Sequence, residues 1–579
     1  MQISFISLVF LLMGALSSES RTVYSVDTYG ASPNDGQHDG QAIRNCIAAA
    51  IADGGPTEVR FSSGVYDCSI NGTDPVFEIE GANDLWLNGT GTGTNGTELL
   101  FYKNAQTSIN VEGCTNVVLK NFSVDYKYLP FTQGTVSGVG SNYVDVALDS
   151  GFPDFSETVF NIGDNKQLHR MELVGSDWMR QDTLKADFSY EYLGGSSWRI
   201  QPKAIFLSSG DRFVLKSRVG GFSSVVRDSV DCAYENVTFY CGLSFTTLGA
   251  NTTRLRYTDC NWTIRPGTTR MMGPIADCIH SLGNRGGLII DGCTFKGQGD
   301  DAINMHSREA AITQVISSSE LKIQTHNNFE LRLNDWISVM DMDSGTEKGK
   351  KQITAISFDG DIASVTLNNA ISNMSTDDKV FSLTASGCYS VVKNCSISSG
   401  RLLIRGHHVT VTNNTFSLGG FLAFRISPDY PEGPIPYQAI VEKNIFDYST
   451  RSDYQVFANV KTADGGPSGS KIWGLTFSNN EFYDASGISI FMKNVEDIIF
   501  TGESQKIDVA VGVPESARSL IILDDYSDIE FDDMTFIDPN SETVNLVRNT
   551  NGDTVQFIGC DFTGLYSNTT ICTGLHSVE

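Results

Sequence analysis

Two short segments hold carboxylates at a spacing that suits bond hydrolysis. One reads IADCIH (Ile275 to His280) and the other GDDAINMH (Gly299 to His306). Aligning CIH with AIN sets Asp277 24 residues before Asp301, with Asp300 beside it. Carboxylates within about 5 Å repel one another unless one keeps its proton, so such clusters usually have a use. Cleavage of a glycosidic bond is such a use: one carboxylic acid protonates the leaving oxygen while another carboxylate activates water. His280, Asn304 and His306 lie in the same segments. Neutral imidazole and amide groups both donate and accept, which suits sugar hydroxyls. Arg405 and Arg425 end matching segments further along, RLLIR and FLAFRI, and are further candidate sugar contacts. There is no Cys-x-x-Cys and no His-Glu-x-x-His, so no metal-ligand set is expected and the reaction is read as cofactor-free.

The elements that must position these residues form a repeat. A short strand ends in Cys or Asn, followed after one residue by an aromatic or large apolar residue. Examples are LRYTDCNWTI (Cys260, Trp262), LIIDGCTFKG (Cys293, Phe295), VVKNCSISSG (Cys395, Ile397), VTVTNNTFSLGG (Asn414, Phe416) and VQFIGCDFTG (Cys560, Phe562). Val, Ile, Thr and Phe punctuated by Gly, Asn and Asp argue for one β-coil per repeat. In such a solenoid each strand pairs with its copy about 4.8 Å above and below. A 24-residue offset is then one coil, which places Asp277 directly beneath Asp301.

The fold class expected is all-β: a right-handed parallel β-helix. One amphipathic helix near the start, Asp39 to Ala52, presents Ala42, Ile43, Cys46, Ile47 and Ala50 on one face and would cover the first coil. Residues 129–218 and 307–384 lose the repeat and alternate in short strands, as inserted antiparallel β modules, small barrels in form. The chain then divides into a leader (1–20), N-terminal coils (21–128), the first module (129–218), central coils with the aspartates (219–306), the second module (307–384) and C-terminal coils (385–579).

The first twenty residues carry an apolar run, Ile3 to Leu16, too short to span a bilayer and followed by small residues, as in a secretory signal peptide. Eleven Asn-x-Ser/Thr sequons fit that route to the cell exterior. A net charge of −27 repels phosphate backbones, so nucleic acid is not expected as a partner; no later apolar run approaches about 18 residues, so neither is a membrane. The twelve cysteines fit either disulfides or a stack of small side chains at the repeat position. The oligomeric state is left open.

The motif pair IADCIHS and GQGDDAINMH resembles glycoside hydrolase family 110, the inverting α-1,3-galactosidases, within the pectin-lyase-like β-helix superfamily. The resemblance implies a carbohydrate substrate ending in α-galactose. It also implies Asp300 as general acid, its pKa raised by the other two, with Asp277 and Asp301 holding the water. Spacing alone does not choose between retention and inversion; three carboxylates favour inversion, because two can hold one water and leave the third as acid. A polygalacturonase-like hydrolase, a polysaccharide lyase and a non-catalytic carbohydrate-binding β-helix are the alternatives. The first is hinted at by Gly406-His407-His408 and Arg425-Ile426-Ser427.

Overall fold

The computed structural model describes residues 20–578 except 73–74, 103–105, 163, 219, 327–328, 418–423, 448–453, 461–468, 486–487, 503–505, 510–518, 538–544 and 565–569. The expected leader, apart from Ser20, and the sequon at Asn568 lie outside the described residues.

The chain is a parallel β-helix. Copies of three strands stack in register from coil to coil. One stack runs Thr22–Ser25, Thr57–Arg60, Leu85–Asn88 and Val118–Tyr126, each parallel to the next. A second contains Thr247–Ala250, Ile279–Leu282, Ile303–Arg308, Leu402–Ile404 and Phe424–Ile426. The side chains that point inward fill a single continuous core, and its regularity explains the repeat. Trp262 is fully buried and stacks between Phe239 and Phe295, at ring separations of 5.8 and 4.8 Å. Further along, Phe416, Phe446 and Phe482 continue the pattern at 4.8 Å steps.

The Cys/Asn position forms its own column. Cys260, Cys293 and Cys395 are superposed by strand register. The column continues as asparagines: Cys395 N donates to Asn414 Oδ1 (2.9 Å), Asn414 Nδ2 to Asn444 Oδ1 (2.9 Å) and Asn444 Nδ2 to Asn480 Oδ1 (3.0 Å). All twelve cysteines are free thiols, eleven of them buried. Between the two readings of the cysteines, the stack is the one observed.

The helix Gly40–Asp53 buries Ile43, Cys46, Ile47 and Ala50 on the first coils. Its N-cap residue, Asp39, also ties down the approach: Oδ1 accepts from Ser32 N (2.8 Å) and Oδ2 from Asp67 N (3.0 Å). Two antiparallel insertions interrupt the coils. The first is a seven-stranded sheet with strands from Phe131–Val139 to Arg212–Arg218. The second, from Ala310–Ser317 to Lys379–Ser382, is a closed six-stranded barrel. Each has its own apolar core, so each folds around itself and leaves the coils on either side in register. No helix among the described residues is long and apolar enough to cross a membrane.

Candidate active site

Register brings the aspartates together. Ile279 pairs with Ile303, His280 with Asn304 and Leu282 with His306. Cys278 N donates to Asp301 O at 2.9 Å, which sets Asp277 one coil below Asp301. Along Ile303–Arg308, Ile303 and Met305 turn into the core, so Asn304 and His306 face the other way. One carboxylate oxygen from each of Asp277, Asp300 and Asp301 lies within 4.8 Å of the others. The trio lines a cavity of about 220 Å³ together with Arg218, Phe245, His280, Arg401, Arg405 and Glu432. That space suits one sugar ring better than a long stretch of polymer.

Cations converge on this floor. Arg401 Nε donates to Asp301 Oδ1 (2.5 Å) and its Nη2 to Asp300 Oδ1 (3.3 Å); Arg218 Nη2 donates to Asp300 Oδ2 (3.1 Å). From below, Lys216 Nζ donates to the carbonyls of Gly299 (2.8 Å) and Ile275, and Arg180 also donates to Gly299 O. Gly299 is required there: a Cβ would stand 2.4 Å from Ile275 O and 2.8 Å from Lys216 Nζ.

These charges divide the pair. Burial pushes the Asp300 carboxyl up, but Lys216, Arg180, Arg401 and Arg218 outweigh it and hold the group well below the usual carboxylate range. Burial pushes Asp301 up as well, and the negative neighbours Asp300 and Asp277 add to it against Arg401, leaving it at about 7. Burial also pulls the Lys216 ammonium well down. Its nitrogen donates to the carbonyl oxygens of Ile275 and Gly299. The three arginines keep Asp300 ionised in any case. The expectation of a raised pKa at Asp300 is therefore corrected. Of the two, Asp301 keeps its proton to higher pH, because Arg180, Arg218 and Arg401 surround Asp300.

The other expected contacts separate into groups. His280 stacks on Phe245 at 4.0 Å, with its Nδ1 2.7 Å from Asp277 Oδ2. Asn304 lines the cavity, donates to Glu432 Oε2 (3.3 Å) and accepts from Arg405 Nη1 (2.5 Å). Arg405 in turn pairs with Glu432 Oε2 at 3.1 Å. His306 is buried behind His280, their Nε2 atoms 3.2 Å apart. Arg425 does not line the cavity; it donates to Ser427 Oγ (2.5 Å) and pairs with Asp429, which does. His407 and His408 fall in a turn, His408 with φ 53°, outside this cavity.

Sequence reasoning missed Arg401, Phe245, Glu432 and the cations Arg180, Lys216 and Arg218. The first two were within reach, since each stands in a segment aligned with the aspartate row. Glu432 lies on a short irregular hairpin, and the three cations belong to the first insertion, whose own strand pattern gives no register against the coils. Possible metal ligands that sequence spacing did not join are brought together by the fold. Among the described residues, two groups have possible ligand atoms within 4.8 Å of one another, the aspartate trio and His280, His306 and Glu432. Arginine contacts on Asp300 and Asp301 oppose a cation at the first.

No protein-family model matches the chain. It is similar to α-1,3-galactosidase A of Bacteroides thetaiotaomicron, 24% identical over 318 residues, covering 48% of this chain and 53% of that protein. α-1,3-Galactosidase B of the same organism is 27% identical over 369 residues, covering 55% of this chain and 57% of that protein. The chain thus spans little more than half the length of these curated relatives. α-1,3-Galactosidase A of Shewanella woodyi is 21% identical over 481 residues, 73% of this chain and 76% of that protein. The resemblance read from the aspartate motifs is borne out by these relatives. Among solved structures, the A-module of the Azotobacter vinelandii mannuronan C-5 epimerase AlgE4 superposes with 10% identity and a TM-score of 0.43, covering 96% of this chain and all of that one. A Yersinia enterocolitica family 28 exopolygalacturonase gives 10% identity and a TM-score of 0.38, covering 97% of this chain and 79% of that one.

Proposed function

We propose, with these relatives as premise, that the chain is a secreted glycoside hydrolase that removes terminal α-1,3-linked galactose with inversion. The observation that carries the reading is three carboxylates within 4.8 Å of one another at the floor of a cavity sized for one sugar ring, with Asp301 raised to about 7 beside a lowered Asp300. The galactose and its linkage come from the names of the relatives. The leaving oxygen takes the proton of the donor aspartate, and water attacks the anomeric carbon as another carboxylate accepts its proton. The trio is tighter than the carboxylate separation of roughly 6.5–9.5 Å usual for an inverting pair. Where Asp301 donates, the water lies beside Asp277 and Asp300; where Asp300 donates, as the resemblance implies, it lies beside Asp277 and Asp301.

The charge distribution favours Asp301 as donor, whereas the resemblance assigns that role to Asp300. An aryl galactoside with a good leaving group separates them. Replacing the donor by Asn leaves turnover of that substrate nearly intact, because its departure needs no proton; replacing a base abolishes it. The cation-lined cavity supports a second reading, hydrolysis of galacturonides, whose carboxylate would meet Arg218 or Arg401. A panel of α-galactosides and galacturonides, followed by proton NMR, decides between the two. The expected result is β-galactose as first product. Initial α-galactose, or turnover confined to galacturonides, overturns the proposal.

A further inference from the structure

We infer that His280, His306 and Glu432 form a binding site for a zinc-class divalent cation on the wall of the cavity, distinct from the aspartate trio. The argument begins with protons. Asp277, where ionised, only accepts, so the 2.7 Å contact from His280 Nδ1 fixes a proton on that nitrogen. The carbonyl of Ser307 also only accepts, so the 3.1 Å contact from His306 Nδ1 fixes a proton there too. With Nδ1 of each ring committed to its acceptor, the two Nε2 atoms are left as the nitrogens that a cation can bind. They face each other across 3.2 Å, on side chains 8% and 1% exposed. Two buried ring nitrogens in that position need a proton or a metal ion between them.

A metal ion meets that requirement with matching geometry. Two Zn–N bonds of about 2.0–2.1 Å at a tetrahedral angle separate their nitrogens by about 3.3–3.4 Å. Glu432 supplies the third ligand: Oε1 stands 3.6 Å from His306 Nε2, while Arg405 and Asn304 bind Oε2. Both histidines already have the partner on Nδ1 that orients metal-bound imidazoles, a carboxylate for one and a backbone carbonyl for the other. Because His280 and Glu432 line the cavity, the fourth position opens into it. Two imidazoles and one carboxylate with an open position suit zinc or its neighbours rather than calcium or magnesium. The inference stands independently of the hydrolytic reading.

The full chain, stripped with chelator and dialysed, is titrated with cobalt(II) and separately with zinc. The expected result is one equivalent bound, visible absorption of a four- or five-coordinate cobalt site, its displacement by zinc, and a thermal midpoint raised by zinc. His306→Gln should weaken binding at least about a hundredfold. Glu432→Gln, on a hairpin outside the coils, should weaken it too, with an unchanged circular dichroism spectrum. Absence of binding, equal binding in both variants, or nitrogen NMR giving His280 protonated on both ring nitrogens with zinc in excess overturns the site and leaves a proton between the rings.

Discussion

Cations hold Asp300 low, while burial and negative neighbours raise Asp301, which therefore keeps its proton to higher pH. With Asp301 as donor, losing that proton leaves no acid for the leaving group. The pKa of Asp301 in its pair with Asp300 therefore sets the alkaline limb of kcat/KM, which should fall above about pH 7. A profile flat to pH 9 would remove the Asp301 proton from the mechanism. Arg401 favours ionisation of Asp301, so Arg401→Met should move that limb to higher pH. Asn at 277, 300 or 301 should cost about a thousandfold or more in kcat on unactivated substrates while the protein stays folded; near-normal turnover in any two would count against the trio. At this scale the sequence was informative about what lies along a strand and silent about what crosses between elements. The Asp277–Asp301 stack follows from a 24-residue offset and matching CIH and AIN. The pKa order does not, because the cations that set it are distant in sequence; Arg180 lies 120 residues from Asp300.

Among elements, the barrel matters through what it braces. The strand Ile303–Arg308 outruns its coil and pairs antiparallel with the Glu432 hairpin, Ser307 with Gly433 and Arg308 with Glu432. Barrel residue Phe381 packs so closely on Gly433 that a Cβ there would lie 2.6 Å from the ring. Replacing residues 308–384 by a short linker should leave a folded β-helix with weakened substrate selection, KM changing more than the circular dichroism spectrum. Global unfolding would mean that the barrel supports the coils. The sequons belong to this scale as well. Asn121 and Asn236 occupy left-handed turns, φ 59° and 51°, a conformation asparagine tolerates. Their Nδ2 atoms donate up a ladder, Asn236 to Asn121 (3.0 Å), Asn121 to Asn88 (2.9 Å) and Asn88 to Glu58 (3.0 Å). Because the nitrogen that would carry a glycan is already committed, peptide mass spectrometry of protein from a glycosylating host should find these three unmodified. Coil, helix and interruptions were legible because each has its own periodicity. Closure of one insertion and not the other was not legible, since it depends on pairing of the first and last strands.

For the whole molecule, the free-thiol column has a consequence for handling and for measurement. No covalent cross-link holds the stack, so its thermal midpoint should be the same with and without reductant, and a fall on reduction would expose a bridge. The same native chain can then be made in a reducing cytosol without an oxidative folding machinery. The buried sulfurs also form a set of built-in reporters spread from Cys46 in the capping helix to Cys572 near the last coils. Each becomes reactive when its own stretch of the solenoid opens. Pulsed alkylation at rising denaturant, read site by site, would therefore trace how unfolding travels along the molecule without a single engineered label.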